Sequence, residues 1–423
     1  MLTIYRWLLR LLLPFILLRL AWRGFRNQGY WHGIPERFGF IPSVNEARLI
    51  WIHAVSVGEA RAAAPIVKAL AEYYPHHSVL ITTMTPTGSA TVRSLFSDRV
   101  LHCYVPYDYP SAVRRFLDRA RPQLALVMET EMWPNLFRAC GLRNVPIIMA
   151  NVRMSERSMR GYLRVPGLAR TTLAQVTHIA AQSQADAERM VRIGADPARV
   201  HVTGSIKFEL SLPGSTLERA DVLRGEWGRG RPVWIAASTH EGEDEAVLAA
   251  HRELRKRDRL ADALLVLVPR HPERFTQVAR LSERLGFTIV RRSQHTGPLD
   301  RSVEVLLGDT MGELQLFLAT SDAAFIGGSL VPTGGHNTLE ASVVGKPVVF
   351  GPHMFNFSEI AAMTLERGAG VQIHTAAELA PAISDLLGSA NRRDALGDAG
   401  RRMVEENRGA LARTVTLIEK VLG

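Results

Sequence analysis

The sequence predicts an α/β protein built from two Rossmann-like, doubly wound domains facing a central cleft, preceded by an apolar anchor helix. Three observations predict it. Short apolar runs alternate with amphipathic stretches along most of the chain, the pattern of βα units feeding a mostly parallel sheet. That alternation breaks once, at SLPGSTLERA (Ser211 to Ala220), where Pro, Gly and Ser mark a linker running into a helix, and then resumes. The length, 423 residues, also exceeds what one ordinary core accommodates. The expected division is an anchor over 1–26, a first domain over 27–210 and a second over 211–423.

The anchor comes first. The stretch YRWLLRLLLPFILLRLAWRGFRN is apolar yet carries Arg6, Arg10, Arg19, Arg23 and Arg26, and no small-residue cleavage site follows it. Arg10 to Arg19 covers only about 14 Å of helix and Arg6 to Arg23 about 26 Å, against a hydrocarbon core of ~30 Å. Pro14 adds a kink. The expectation is a signal-anchor-like helix that inserts shallowly or spans poorly, its arginines held at anionic headgroups. The flanking positive charge places the rest of the chain on the cytoplasmic side.

In the first domain the candidate strands are Leu49 to Val55, Val79 to Met84, Leu124 to Met128, Ile147 to Ala150, Ile179 to Gln182 and Val200 to Thr203, with helical patterns such as Glu59 to Glu72 and Ser111 to Arg119 between them. The second series runs Val233 to Ala237, Leu264 to Val268, Thr288 to Val290, Val303 to Leu307, Ala323 to Ile326 and Val348 to Phe350. The Arg-rich tail from Arg392 predicts a terminal helix. Folds of this kind bind ligands at the carboxyl ends of their strands.

Charge narrows the partners. With 51 Lys+Arg against 41 Asp+Glu the net charge is +10, which favours an anionic lipid, a phosphorylated substrate or a nucleic acid. No basic stripe interleaved with aromatics and no nucleic-acid-binding signature appears, so nucleic acid is not expected. Cys103 and Cys140 lack the spacing of a redox pair or metal cluster, and the 14 histidines show no H-E-x-x-H, so no metal site is expected.

Chemistry-bearing residues gather where strands end. In HAVSVGE, Gly58 is expected to permit the strand-to-helix turn, and Glu59 is either a first-turn dipole partner or a base at the cleft. Its Ser56-Val57-Gly58 departs from the dinucleotide fingerprint. In ETEMWPN, Glu129 sits at a strand end, Glu131 is a candidate helix cap, and Trp133-Pro134 is structural. GSIKF brings Lys207 to the hinge, where an ammonium can meet a carboxylate or a phosphate leaving group.

In the second series, Pro269 and Arg270 follow a buried strand, and Arg there suits phosphate because its planar fork binds two oxygens. Met311, Gly312 and Glu313 make a further strand-to-helix turn that can face a base or phosphate. Gly327-Gly328 permits close backbone approach, and Gly334-Gly335 leads into a helix whose free N–H groups attract phosphate. Asn337 either caps that helix or bonds a ligand, and Glu340 lies one turn in, where it can accept from ribose hydroxyls. STHE (Ser238 to Glu241) fits a capping box and is expected to be structural.

Taken together, HAVSVGE, TTMTPTGS, ETEMWPN, GSIKF, STHEGE, PRHPERF, GDTMGEL, GGSL, GGHNTLE and GPHMFNF stand in the order found in the 3-deoxy-D-manno-octulosonic acid (Kdo) transferases, which this chain resembles over essentially its whole length. It departs from the commoner family wording at Met132, usually Leu, and Thr338, usually Pro, neither of which replaces a presumed functional group. The resemblance implies a GT-B glycosyltransferase architecture with an acceptor-binding first domain and a CMP-sugar-binding second. It implies CMP-Kdo as donor, lipid IVA as acceptor, inversion at the anomeric carbon, and work at the cytoplasmic face of a bacterial inner membrane without a resident cofactor. It further implies that Glu59 is the proton acceptor and that Glu129 and Lys207 stabilise the transition state. Pro269, Arg270, Met311, Gly312, Glu313, Asn337, Thr338, Leu339 and Glu340 are implied to bind CMP. Another GT-B transferase using a UDP-sugar and a lipid acceptor, or a non-catalytic nucleotide-binding membrane scaffold, is the alternative.

Overall fold

Strands of both series pair in parallel in the computed structural model, which describes residues 1–44, 46, 48–210, 212 and 214–423. Ser211 and Pro213 of the expected linker lie outside the described residues. The chain divides into two compact units, Met1–Glu209 with Arg408–Gly423, and Leu210–Asn407.

The first unit holds β1 (Leu49–His53), β2 (Ser78–Thr83), β3 (Leu101–Tyr104), β4 (Leu124–Met128), β5 (Ile147–Val152), β6 (His178–Ala181) and β7 (Val200–Val202). Among the described residues these form one sheet in the order β3-β2-β1-β4-β5-β6-β7. Strand order reverses between β1 and β4, so the loops leaving these two neighbours border a crevice at the sheet's carboxyl edge. The strands are apolar throughout because both faces are covered: Leu49, Trp51, Ala125 and Val127 face one buried cluster, and Ile50, Ile52, Leu124 and Leu126 the other. The sequence reading missed β3. As an edge strand it begins at an exposed Leu101 and carries His102 and Cys103, so it lacks the continuous apolar run of its neighbours.

The second unit holds β8 (Val233–Thr239), β9 (Leu264–Pro269), β10 (Ile289–Arg291), β11 (Val305–Leu307), β12 (Ala323–Ile326), β13 (Val348–Phe350) and β14 (Gly370–Gln372). Their order is β10-β11-β9-β8-β12-β13-β14, with the reversal between β8 and β12. Here the three-residue edge strand β14 was missed, again for want of a buried run.

The tail departs from the expected division. Instead of one terminal helix in the second domain, it forms Ala390–Glu406 and then, after Gly409 at a φ of 88°, Ala410–Leu422. Ala410, Leu417 and Ile418 join the first unit's core with Ile66 and Leu70, while Arg413 Nε donates to the Thr203 carbonyl at 2.7 Å. The apolar face of this helix finds its partner on the first unit, which is why residues 408–423 belong there.

The amino-terminal helix α1 (Leu2–Arg26) buries only Leu20 and Gly24 and exposes a run of apolar residues that includes Trp7, Leu11, Phe15, Leu18 and Trp22. It is tied to the first unit by polar contacts: Tyr5 OH donates to Asp108 at 2.9 Å, Arg6 Nε to Asn135 Oδ1 at 2.7 Å, and Tyr109 OH to the Leu9 carbonyl at 2.7 Å. Among the described residues no helix is long and apolar enough to cross a membrane.

Candidate active site

The loop after β1 fixes Glu59 by local chemistry. Ser56 is the N-cap of α2 (Val57–Tyr73), its Oγ accepting the Glu59 N–H at 3.2 Å, while the Glu59 carboxylate reaches back to accept from the Ser56 hydroxyl and the Val55 N–H, each at 2.8 Å. This is a variant of the capping box in which the carboxylate takes the N–H one residue before the N-cap, and the Ser56 cap is worth about 0.5–2 kcal/mol to the helix. Glu59 is therefore a cap by geometry, yet its environment is not that of a surface cap. The residue is 6% exposed, and burial pushes its carboxyl up to about 8, against the pull of its two hydrogen bonds and aided by the charges of Glu129 and Glu131. Gly58 is not needed for the turn, since it has no left-handed φ and already lies within the first helical turn.

Neighbouring β4 delivers Glu129, whose backbone takes a φ of 54°, uncommon for a residue with a side chain and expected to cost about 1–3 kcal/mol. Its N–H donates to the Ala150 carbonyl at 2.8 Å, so β5 helps to hold the conformation. Glu131 does not cap the following helix; it accepts from Trp133 Nε1 at 2.8 Å, and Trp133 in turn packs edge-on against the buried His53 ring. The cap of α5 (Pro134–Gly141) is Asp108, which accepts from the Asn135 and Leu136 amides at 3.0 and 2.8 Å. Pro134 begins α5 and Trp133 packs against the core, as the sequence indicates.

Lys207 lies half-buried in the short 3-10 turn Ile206–Phe208. Asn151, fully buried at a φ of 57° in β5, holds that turn by accepting the Ile206 N–H at 3.1 Å. The sequence reading passed over Asn151, because its partner is 55 residues away. Glu59 and Glu129 thus flank the first unit's topological switch point, and the Lys207 turn is tied to the strand beside β4.

In the second unit the first glycine pair works differently from the expectation. Gly327 is required because a Cβ there would sit 2.5 Å from the Ser238 carbonyl oxygen, so the close approach is to β8 and not to a ligand. The amides of Gly328, Ser329 and Leu330 are occupied: they donate to the Glu243 carboxylate at 2.6, 3.0 and 2.9 Å, and the His240 amide adds a fourth bond at 2.9 Å. Glu243 is fully buried. It fills the anion nest at the β8–β12 switch point with a side chain of the protein itself. STHE is correspondingly no capping box. Ser238 takes a φ of 60° in β8, Glu241 is exposed, and the next helix begins only at Asp244.

The second glycine pair does turn the chain, with φ of 102° at Gly334 and 73° at Gly335, and packs so tightly on GPHMFNF that Cβ atoms would meet Asn356 and Met354 at 2.1 and 2.2 Å. The helix that follows is a single turn, Leu339–Ser342, so it supplies little dipole. Asn337 takes the capping alternative, accepting the Leu339 N–H at 3.2 Å. Thr338 and Leu339 are buried, leaving only their backbone for a ligand, while Glu340 is half-exposed.

Pro269 ends β9, and Arg270 follows, half-buried, with its N–H bonded to the Thr239 carbonyl at 3.0 Å and no side-chain hydrogen bond or ion pair among the described residues. Nearby Arg274 is committed to Asp244 and to the Thr239 carbonyl. Gly312 turns at a φ of 82° beside an exposed Met311, and Glu313 accepts from Arg292 at 3.1 Å and from Thr310 at 2.6 Å. Burial opposes ionisation of Glu313, but these bonds and the Arg292 and Arg219 charges hold it below the usual carboxylate range.

Three histidines that the sequence reading did not connect meet beside Arg270. His240 Nε2 lies 2.9 Å from His336 Nε2, and its ring meets His271 edge-on at 5.3 Å. Burial lowers the His240 pKa, and the Arg270 and Arg274 charges add to that. Among the described residues no group of three His, Cys, Asp or Glu side chains is placed to hold a metal ion.

Two parallel, doubly wound units with chemistry at their strand ends define the GT-B architecture. The UDP-GlcNAc 2-epimerase of Neisseria meningitidis, solved with UDP-GlcNAc bound, shares the fold at a TM-score of 0.54 and 13% identity, over 88% of this chain and 100% of that one. A family model described as 3-deoxy-D-manno-octulosonic-acid transferase (kdotransferase) matches residues 32–210. The 3-deoxy-D-manno-octulosonic acid transferase of Haemophilus influenzae is 42% identical, covering 99% of this chain and 98% of its own. That of Bordetella pertussis is 38% identical over 99% of each chain. The chain belongs to the 3-deoxy-D-manno-octulosonic acid transferase family.

Proposed function

We propose that this transferase moves Kdo from CMP-Kdo to lipid IVA, adding one or more Kdo units, at the cytoplasmic face of an anionic bacterial inner membrane that α1 contacts with its exposed apolar residues. The observation that carries the mechanism is Glu59, a carboxylate locked by its own helix cap and raised to about 8. An acceptor hydroxyl attacks the anomeric carbon of Kdo, the bond from that carbon to the phosphate oxygen breaks, and CMP departs with the electron pair. The hydroxyl proton passes to Glu59, whose pKa near the working pH suits it to receive one. Lys207 and Glu129 act on the developing charge, and Arg270, which no carboxylate engages among the described residues, binds the donor phosphate. Pro269, the Met311-Gly312-Glu313 turn and the Asn337-to-Glu340 segment form the remaining donor contacts, largely through backbone.

The test is mass spectrometry of lipid IVA incubated with the protein and CMP-Kdo generated in situ. Added Kdo, absent with Glu59→Ala, supports the reading and counts the units; no addition from active donor overturns it in favour of a UDP-sugar donor or a scaffold. Arg270→Ala is expected to weaken CMP binding by about 10–100-fold, the worth of a charge-assisted bond. Calorimetry showing unchanged affinity removes Arg270 from the phosphate site.

A further inference from the structure

A cavity of about 410 Å³ lies at the root of α1, where α1 meets the start of α4 (Pro110–Ala120) and the face of α5. Five arginines line it: Arg6, Arg10, Arg114, Arg138 and Arg143. No Asp or Glu does. Two of the five are engaged at its edge, Arg6 with Asn135 at 2.7 Å and Arg143 with Asp118 at 2.7 Å. The guanidinium of Arg10 rests over the Trp7 ring at 4.9 Å, and those of Arg114 and Arg138 have no carboxylate partner among the described residues. The wall includes Ser111 in the first turn of α4, an eleven-residue helix whose N-cap, Tyr109, supplies no side-chain hydrogen bond. The Tyr109 hydroxyl donates to the Leu9 carbonyl and so fastens α1 against the cavity.

Like charges repel, and folding gains nothing by leaving the guanidinium groups of Arg10, Arg114 and Arg138 around one space unless an anion joins them. Guanidinium forks and uncapped helix amides together bind phosphate oxygens. Beside them, Trp7, Leu8 and Leu11 of α1 are exposed, with Leu11 70% accessible. A ligand matching both surfaces has a phosphate at one end and hydrocarbon at the other. We infer that this cavity binds the phosphodiester headgroup of an anionic bilayer phospholipid, whose acyl chains follow the apolar side of α1. Glu59, Glu129 and Lys207 are not among the residues that line it, and binding there does not depend on the transfer reaction.

The experiment is flotation of the full-length protein with vesicles of phosphatidylcholine alone, of phosphatidylcholine with phosphatidylglycerol, and of phosphatidylcholine with lipid IVA. Arg114→Gln/Arg138→Gln changes two exposed side chains outside α1. It is expected to weaken binding to the phosphatidylglycerol vesicles by about thirtyfold, from the usual contribution of each arginine near an anionic surface. Binding to pure phosphatidylcholine, which reads the apolar contact of α1, stays unchanged. Arg280→Gln/Arg284→Gln, the same charge change on an exposed helix of the second unit, has little effect. Equal losses for both pairs mean diffuse electrostatics and overturn the site, as does no loss for either. A loss confined to the lipid IVA vesicles gives the cavity to the acceptor's own phosphate and overturns the phospholipid assignment.

Discussion

Glu59→Gln lowers kcat by about a thousandfold and leaves CMP affinity unchanged, the usual size of effect when a positioned base is removed. The amide keeps the shape of the capping box and can still accept one hydrogen bond from Val55 or Ser56, so the helix start survives and the loss is one of proton acceptance. Wild-type activity rises with pH through about 8, because only the ionised carboxylate receives the proton and burial holds its pKa there. Stability runs the other way. The folded pKa lies above the unfolded value of 4.5, so the folded state binds the extra proton between the two; the stability contributed is fully present below 4.5 and is lost as pH rises through about 8. Thermal scans of wild type and Glu59→Gln across that window test this directly: wild type loses stability relative to the variant as the pH rises. A wild-type rate that is flat from pH 6 to 9 (roughly the window spanning this pKa) removes Glu59 as the base.

Glu243→Ala lowers the melting temperature by about 10 °C and weakens CMP binding, although Glu243 itself is not placed on the donor. Its carboxylate accepts four backbone N–H groups, from His240, Gly328, Ser329 and Leu330. Truncation strands them, and each buried, unpaired donor costs about 1–3 kcal/mol, so that even with partial rehydration of the loop roughly 4 kcal/mol is lost. For a unit of this size that is the stated shift in melting temperature. The CMP effect follows because His240 and the loop after β12 also support His336 and the second glycine turn. A melting temperature within about 2 °C of wild type, below the shift expected for 1 kcal/mol, means that the four bonds are not formed in solution.

Much of this was legible from the residues alone. Strands buried on both faces announce themselves as Val-, Ile- and Leu-rich runs, and the one break in the βα rhythm separates the two sheets. Glu59 and Glu129 were visible because each follows such a run, and strand ends at a switch point are where this architecture places its chemistry. What escaped is what depends on distance along the chain. Glu243 sits in EGEDE, which by pattern is a solvated acidic run, and only the loop 85 residues on makes it an internal anion. The His240–His336 pair spans 96 residues. The glycines after β12 looked like a phosphate cradle because the sequence shows which amides are exposable but not what already fills them. The helix at Ala410–Leu422 was placed by proximity in sequence, whereas its apolar face decided otherwise.

That returning helix sets an order of assembly during synthesis. The second unit is one uninterrupted stretch, Leu210–Asn407, and has every residue it needs once Asn407 has been made. The first unit does not: the helix that carries Glu59 has its buried side, Ile66 and Leu70 among it, completed by Ala410, Leu417 and Ile418. On the ribosome the half begun first is therefore finished last. A nascent chain halted before residue 410 carries a complete second sheet and an open seam behind the helix of Glu59, a species for chaperones to hold.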